Sequence, residues 1–255
     1  MKVAKAINKK RSEEKRLTLL GHLQELRQRI IYSVIFLIIT IAVSFIFAED
    51  IFDFLISRAP ENIDLVFIEV AEKISIYMKV CLYSGIVLAM PFLVYQMVMF
   101  IRPALTRKER GYLYLLMPAV VLCFLAGAAF AYYVFLPRAL GFLLEGNYLS
   151  DIEPMIRIGN YVSFVVQIVF SMGLVFELPV IVFFLAKIGV VSHQWLGRQR
   201  KWAFVAAFIL AAIITPTPDP INQTIVAVPI VLLYELGIWL AWFARRKPAA
   251  VPAES

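Results

Sequence analysis

Six apolar runs limit what this chain can fold into more than any other feature. They cover Ile30–Phe47, Ser75–Ile101, Tyr112–Leu136, Tyr161–Ile188, Trp202–Thr215 and Ile221–Phe243. A helix rises roughly 1.5 Å per residue, so a hydrocarbon core of about 30 Å asks for about 20 apolar residues. The fifth run has 14 residues, about 21 Å of helix; there the bilayer thins or the span lies against other helices. The linker after it, Pro216–Pro220, holds three prolines in five residues and forms a stiff, tight turn. Strand-period alternation is absent, which argues against a transmembrane barrel. With 62% hydrophobic residues, 17% charged residues and a mean hydropathy of +0.81, the chain departs from soluble composition. The fold expected is an all-α polytopic membrane protein: six transmembrane helices around a concave groove, the last two short.

The formal charge of +7 raises the question of nucleic acid, and its distribution answers it. With the N-terminus in the cytoplasm, 20 of the 25 Lys and Arg residues fall in cytoplasmic pieces and four fall outside. That bias gives both termini inside and assigns the basic residues to topology and anionic lipid, not to nucleic acid. The organisation expected is a cytoplasmic basic N-terminus with an amphipathic segment (1–29), a membrane domain (30–243) and a cytoplasmic tail (244–255). The first run begins at Ile30 without a small-x-small cleavage site after it, and reads as an uncleaved span. The first outer loop carries Glu49, Asp50, Asp53, Glu61, Asp64, Glu69 and Glu72 around apolar residues such as Leu65 and Phe67. It reads as a folded cap, or more plainly as a solvated loop.

Covalent chemistry finds no support. No Gly-x-x-x-x-Gly-Lys-Ser/Thr is present. His22 and His193 lie outside the spans, leaving no Ser/His pair within the membrane and no zinc motif. Cys81 and Cys123 sit singly in apolar runs as packing residues. No enzyme activity, cofactor or metal is expected. No internal repeat divides the chain into halves, which counts against many secondary transporters.

Three acids remain. Glu177 lies within about one turn of the midpoint of its 28-residue run, with Pro179 two residues on, where a kink is expected. An ionisable side chain at that depth is costly and marks function or interhelical glue. Glu25 lies in Leu19–Arg29, where Leu19, Leu23, Leu26 and Ile30 form one stripe of an amphipathic helix, and Glu25 stands four residues before Arg29. The plainer reading is a basic helix on lipid headgroups. Glu109 sits among Arg107, Lys108 and Arg110 in the loop after the second run. Two such acids offer bidentate sites to guanidinium groups, or pair locally to little effect.

The order of several motifs resembles the TatC family, the receptor subunit of the twin-arginine protein translocase. They are His22-Leu-Gln-Glu-Leu-Arg27; Ala89-Met-Pro-Phe-Leu-Val-Tyr-Gln96 with Phe100, Pro103 and Glu109-Arg110; Gly127, Phe130, Ala131 and Tyr132; Phe176-Glu-Leu-Pro179; and Thr215-Pro-Thr-Pro-Asp219 with Gln223 and Leu233-Tyr-Glu-Leu-Gly237. The family's Thr-Pro-Pro-Asp turn gains a residue here, and its paired basic residues before the fifth span appear as Arg198-Gln-Arg-Lys201.

The resemblance implies recognition of folded cargo through twin-arginine signal peptides, single-span TatA and TatB type partners, an oligomeric complex, and export driven by the protonmotive force across the inner membrane of a prokaryote. By the same resemblance Glu25 and Glu109 receive the arginines, Leu23, Leu26 and Arg27 shape that surface, and Pro103 and Arg110 support it. Glu177 becomes a polar point in the groove, and Thr215 and Gln223 become partner contacts. The alternative is a proton-coupled secondary transporter with Glu177 as relay carboxylate and Glu235 as a possible second group.

Overall fold

The computed structural model describes residues 2–59, 64–102, 107–145, 155–215 and 220–244, with backbone alone for 2–20, 64, 107–110, 112, 113, 115 and 142–145. Among the described residues, five helical stretches are long and apolar enough to cross a membrane: Gly21–Ser44, Glu72–Ile101, Leu116–Gly141, Ile158–Lys187 and Pro220–Phe243. The chain is an all-α polytopic membrane protein. Helix α1 (Lys2–Ser44) runs unbroken from the N-terminal segment into the first span, with no change of element at residue 30. Helix α9 (Arg200–Ile214), with 15 residues, is shorter than these five. The shortness expected of both last spans holds for α9 only, because α10 (Pro220–Phe243) has 24 residues.

Helix α1 packs on α3 (Glu72–Ile101), which packs in turn on α4 (Arg107–Phe130) and α6 (Ile158–Val175). The far flank is built by α7 (Leu178–Lys187) on α10, and α10 on α9. Two glycines set these distances. A Cβ on Gly85 would stand 2.7 Å from the Ile41 Cα, and one on Gly127 would stand 2.6 Å from the Met172 carbonyl oxygen. Neither backbone neighbour can give way, so larger residues would push α1 from α3 and α4 from α6. The outer face of α1 presents Ile31, Ile35, Ile38 and Ile39, as a helix does when lipid is its solvent.

The segment between α1 and α3 is folded over its described residues, as one of its two readings expected. Helix α2 (Ala48–Ile56) follows α1, and β1 (Asp64–Val66) pairs in parallel with β2 (Met155–Arg157), Leu65 opposite Ile156. Tyr132 pins α2 from below: its hydroxyl donates to the Phe54 carbonyl and lies 2.9 Å from Ser57 Oγ. Tyr132 belongs to a five-residue π-helical segment, Ala131–Phe135, between α4 and α5 (Leu136–Glu145).

The kink expected at Pro179 appears as a break three residues earlier. Helix α6 ends at Val175, and α7 starts at Leu178. Proline has no N–H to donate to the carbonyl four residues back, and its ring clashes there. That carbonyl is Val175. Pro179 sits in the first turn of α7, where it is tolerated, and Glu177 falls in the gap.

Candidate functional site

Two acidic positions and one hairpin carry the polar features within or beside the spans. The first lies near the basic end of α1 and α3. Helix α1 turns His22, Glu25 and Arg29, residues i, i+3 and i+7, to one side. Arg29 Nε donates to Glu25 Oε1 at 3.0 Å, and Nη2 donates to the same oxygen. Arg29 Nη1 donates to Gln96 Oε1 on α3 at 3.2 Å. The His22 ring stacks on Phe100 of α3, centroids 4.4 Å apart and planes 12° from parallel.

The polar stripe of α1 therefore meets protein, while Leu23 and Ile30 of the apolar stripe are exposed. Both Arg29 contacts to Glu25 fall on Oε1. Among the described residues, Oε2 has the His22 Nδ1 facing it at 3.8 Å, too far for a hydrogen bond. Among the described residues, Glu25 Oε2 thus accepts no hydrogen bond. Leu26 is half-buried and Arg27 exposed. The backbone places Glu109 and Arg110 in the first turn of α4, one short loop beyond Phe100. Their side chains lie outside the described residues, as does Pro103.

Glu177 is the second position. It is 5% exposed, and among the described residues neither carboxylate oxygen has a partner at hydrogen-bond geometry. It lies between two apolar clusters. One gathers Ala131, Met172, Val175, Ala211 and Val226; the other gathers Val94, Val120, Val180 and Phe184. An unpaired polar group in such surroundings is unfavourable. A relay would need a second titratable group beside it, and Glu235 does not serve. Arg200 holds it instead, with Nε–Oε1 and Nη2–Oε2 both 2.8 Å.

The α9–α10 hairpin carries Thr215 and Gln223. Thr215 is buried and its hydroxyl donates to the Ala211 carbonyl at 2.7 Å, which commits it within its own helix end. Gln223 Nε2 donates across the hairpin to the Phe208 carbonyl at 2.9 Å. It also lines an open cavity of about 450 Å³ with Phe204, Val205, Phe208, Ile209, Ala212 and Ile213. Asp219 and the proline-rich turn lie outside the described residues.

Sequence reasoning missed the role of Glu72, which it counted as one of seven acids in the loop after the first run. Glu72 is 4% exposed. Its Oε1 accepts from Arg157 Nε at 2.9 Å and Gly159 N at 2.8 Å, and its Oε2 from Ile68 N at 3.1 Å and Glu69 N at 3.4 Å. Arg157 also reaches Glu69 at 3.0 Å, and hydrogen bonding to Glu72 and Glu69 pushes its guanidinium pKa further up. Nothing local in the sequence pairs residues 85 positions apart. Gln96 and the His22–Phe100 stack were missed for the same reason.

The comparisons with known proteins agree with one another. A family model, Sec-independent protein translocase protein (TatC), matches residues 21–229. A TatC of Carboxydothermus hydrogenoformans is 38% identical over 238 residues, covering 92% of this chain and 97% of the relative. A TatC of Koribacter versatilis is also 38% identical, over 251 residues, covering 95% and 92%. A crystal structure of a twin-arginine translocase receptor, TatC, superposes with a TM-score of 0.79 at 37% identity, covering 88% of this chain and 100% of that one.

Proposed function

This chain belongs to the TatC family of Sec-independent protein translocase proteins, and from that premise we propose that it docks twin-arginine signal peptides of folded cargo and nucleates a protonmotive-force-driven export complex. Both termini lie in the cytoplasm, and the membrane is the inner membrane of a prokaryote. The observation that carries the reading is the half-satisfied carboxylate of Glu25. Arg29 holds Oε1, and Oε2 lies 3.8 Å from the His22 Nδ1.

An incoming guanidinium binds Glu25 Oε2 by a charge-assisted hydrogen bond, and the second arginine goes to Glu109. Leu23, Leu26 and Arg27 border the docking surface, with Pro103 and Arg110 supporting the loop that presents Glu109. The apolar part of the signal then lies in the groove, where Glu177 offers its unpaired carboxylate. Gln223 and Thr215 mark the hairpin face that receives TatA and TatB type single-span partners. The exposed apolar side chains around Gln223 suit a lipid-embedded helix.

Charge reversal at both Glu25 and Glu109 tests the docking step. Export of a folded twin-arginine reporter stops while protein levels stay normal. Unchanged export at normal levels would overturn the assignment.

A further inference from the structure

All four tryptophans of the chain, Trp195, Trp202, Trp239 and Trp242, are exposed and fall in α8 (His193–Arg198), the start of α9 or the last turns of α10. They surround one end of the spans. At that end a cavity of about 390 Å³ is lined by His193, Arg200, Ile238, Trp239, Trp242 and Phe243. Among the described residues its lining pairs Arg200 and His193 with aromatic rings, and the acid beside it, Glu235, is held by Arg200. Trp242 and Phe243 meet edge to face, centroids 4.8 Å apart.

The walls are held by the protein itself. The Tyr234 hydroxyl donates to the Leu196 carbonyl at 2.9 Å, tying α8 to α10. Arg200 is tied to Glu235 through Nε and Nη2, both at 2.8 Å. Leu196, Ile238 and Ala241 form a buried base beneath. The Arg200 fork engages Glu235 by one edge, so Nη1 remains for a further acceptor.

We propose that this cavity holds the phosphate headgroup of an anionic phospholipid. Arg200 and His193 face the phosphate, and Trp239, Trp242 and Phe243 flank the glycerol and the upper acyl chains. Position favours this occupant: α10 ends here, at the boundary where tryptophan collects. Charge favours it too. Arg198 and Lys201 flank Arg200, and Arg245, Arg246 and Lys247 follow α10 directly in the chain, a density of cations that selects anionic lipid. A soluble phosphate would leave the exposed aromatic wall unexplained. This site lies apart from the docking surface at Glu25 and does not depend on it.

The four tryptophans supply the readout. The full chain is placed in phosphatidylcholine vesicles containing a minor share of phosphatidylglycerol brominated on its acyl chains, or the same share of brominated phosphatidylcholine. Quenching by the anionic lipid exceeds quenching by the neutral one by about twofold or more. Arg200→Gln brings the two together. Glu235→Gln breaks the same ion pair but keeps the cation, and preserves the preference. Lys201→Gln, which removes a charge outside the cavity lining, changes it little. Equal quenching in the unaltered protein would overturn the proposal. So would equal loss in Arg200→Gln and Glu235→Gln, which would mean a structural tie, or equal loss in Lys201→Gln, which would mean diffuse attraction. Loss of the preference on adding inorganic phosphate would assign the site to a soluble ligand and overturn the lipid.

Discussion

Glu72 at the head of α3 and Glu177 in the gap between α6 and α7 are almost equally buried, 4% and 5% exposed, yet the chain serves them in opposite ways. Glu72 receives three backbone N–H groups and a guanidinium. Among the described residues Glu177 receives none at hydrogen-bond geometry. A buried carboxylate with all its lone pairs used is a fastener: it ties the loop before α3 to the start of α6 and holds the β1–β2 pair beside it. A buried carboxylate with no partner is a cost that a ligand can relieve. The contrast separates a cap closed by its own polar groups from a mid-span carboxylate with no partner among the described residues.

The largest effect expected from breaking this contrast is at Glu72. Glu72→Ala leaves Arg157 with Glu69 alone and strands the N–H groups of Ile68, Glu69 and Gly159. The thermal midpoint of the purified protein falls by on the order of 10 °C, and abundance in the membrane falls with it. A midpoint unchanged in a thermal melt would mean that water replaces the carboxylate and that the cap is loose. Glu177 behaves the other way in the same melt. Glu177→Gln leaves the midpoint unchanged or higher and keeps export, because an amide still offers a polar contact in the groove. Glu177→Ala keeps the fold but loses most export. Equal loss of export in both variants would return the role to charge, and with it the proton relay.

The smallest effect sharpens the contrast at a third acid, Glu25, which is half served. Arg29→Gln frees Oε1 and removes a competing cation, so a twin-arginine signal peptide binds a few-fold tighter, the worth of one partly exposed ion pair. Binding titrated with a labelled peptide checks it. Weaker binding would show that Arg29 helps to build the docking surface through Gln96.

The sequence shows the spans because burial in lipid demands long apolar runs, and it shows Glu177 because one acid in 28 such residues stands out. The order of motifs carries the family. What it hides depends on distance along the chain. Glu72 looks like one of seven loop acids until Arg157 and Gly159 arrive from the start of α6. The stripe of α1 was visible, but the apolar residues drew attention, while the face meeting α3 is the polar one. Pro179 announces a disturbance, and only the missing bond to Val175 places the break at Phe176 and Glu177, ahead of the proline. Gly127 and Tyr132 belong to a recognised motif, yet their work, a close approach to α6 and a hold on α2, is seen only in three dimensions.

The central claim, that Glu25 and Glu109 receive the arginine pair while Glu177 meets the apolar part of the signal, is tested most directly by site-specific photocrosslinking. Probes placed at residues 25, 109 and 177 are exposed to signal peptides bearing an arginine or a lysine pair. Probes at 25 and 109 should capture the paired-arginine region, the probe at 177 the apolar region, and all three yields should fall when lysines replace the arginines. Equal capture of both peptides at 25 and 109, or capture of the arginine region from 177, would contradict the account.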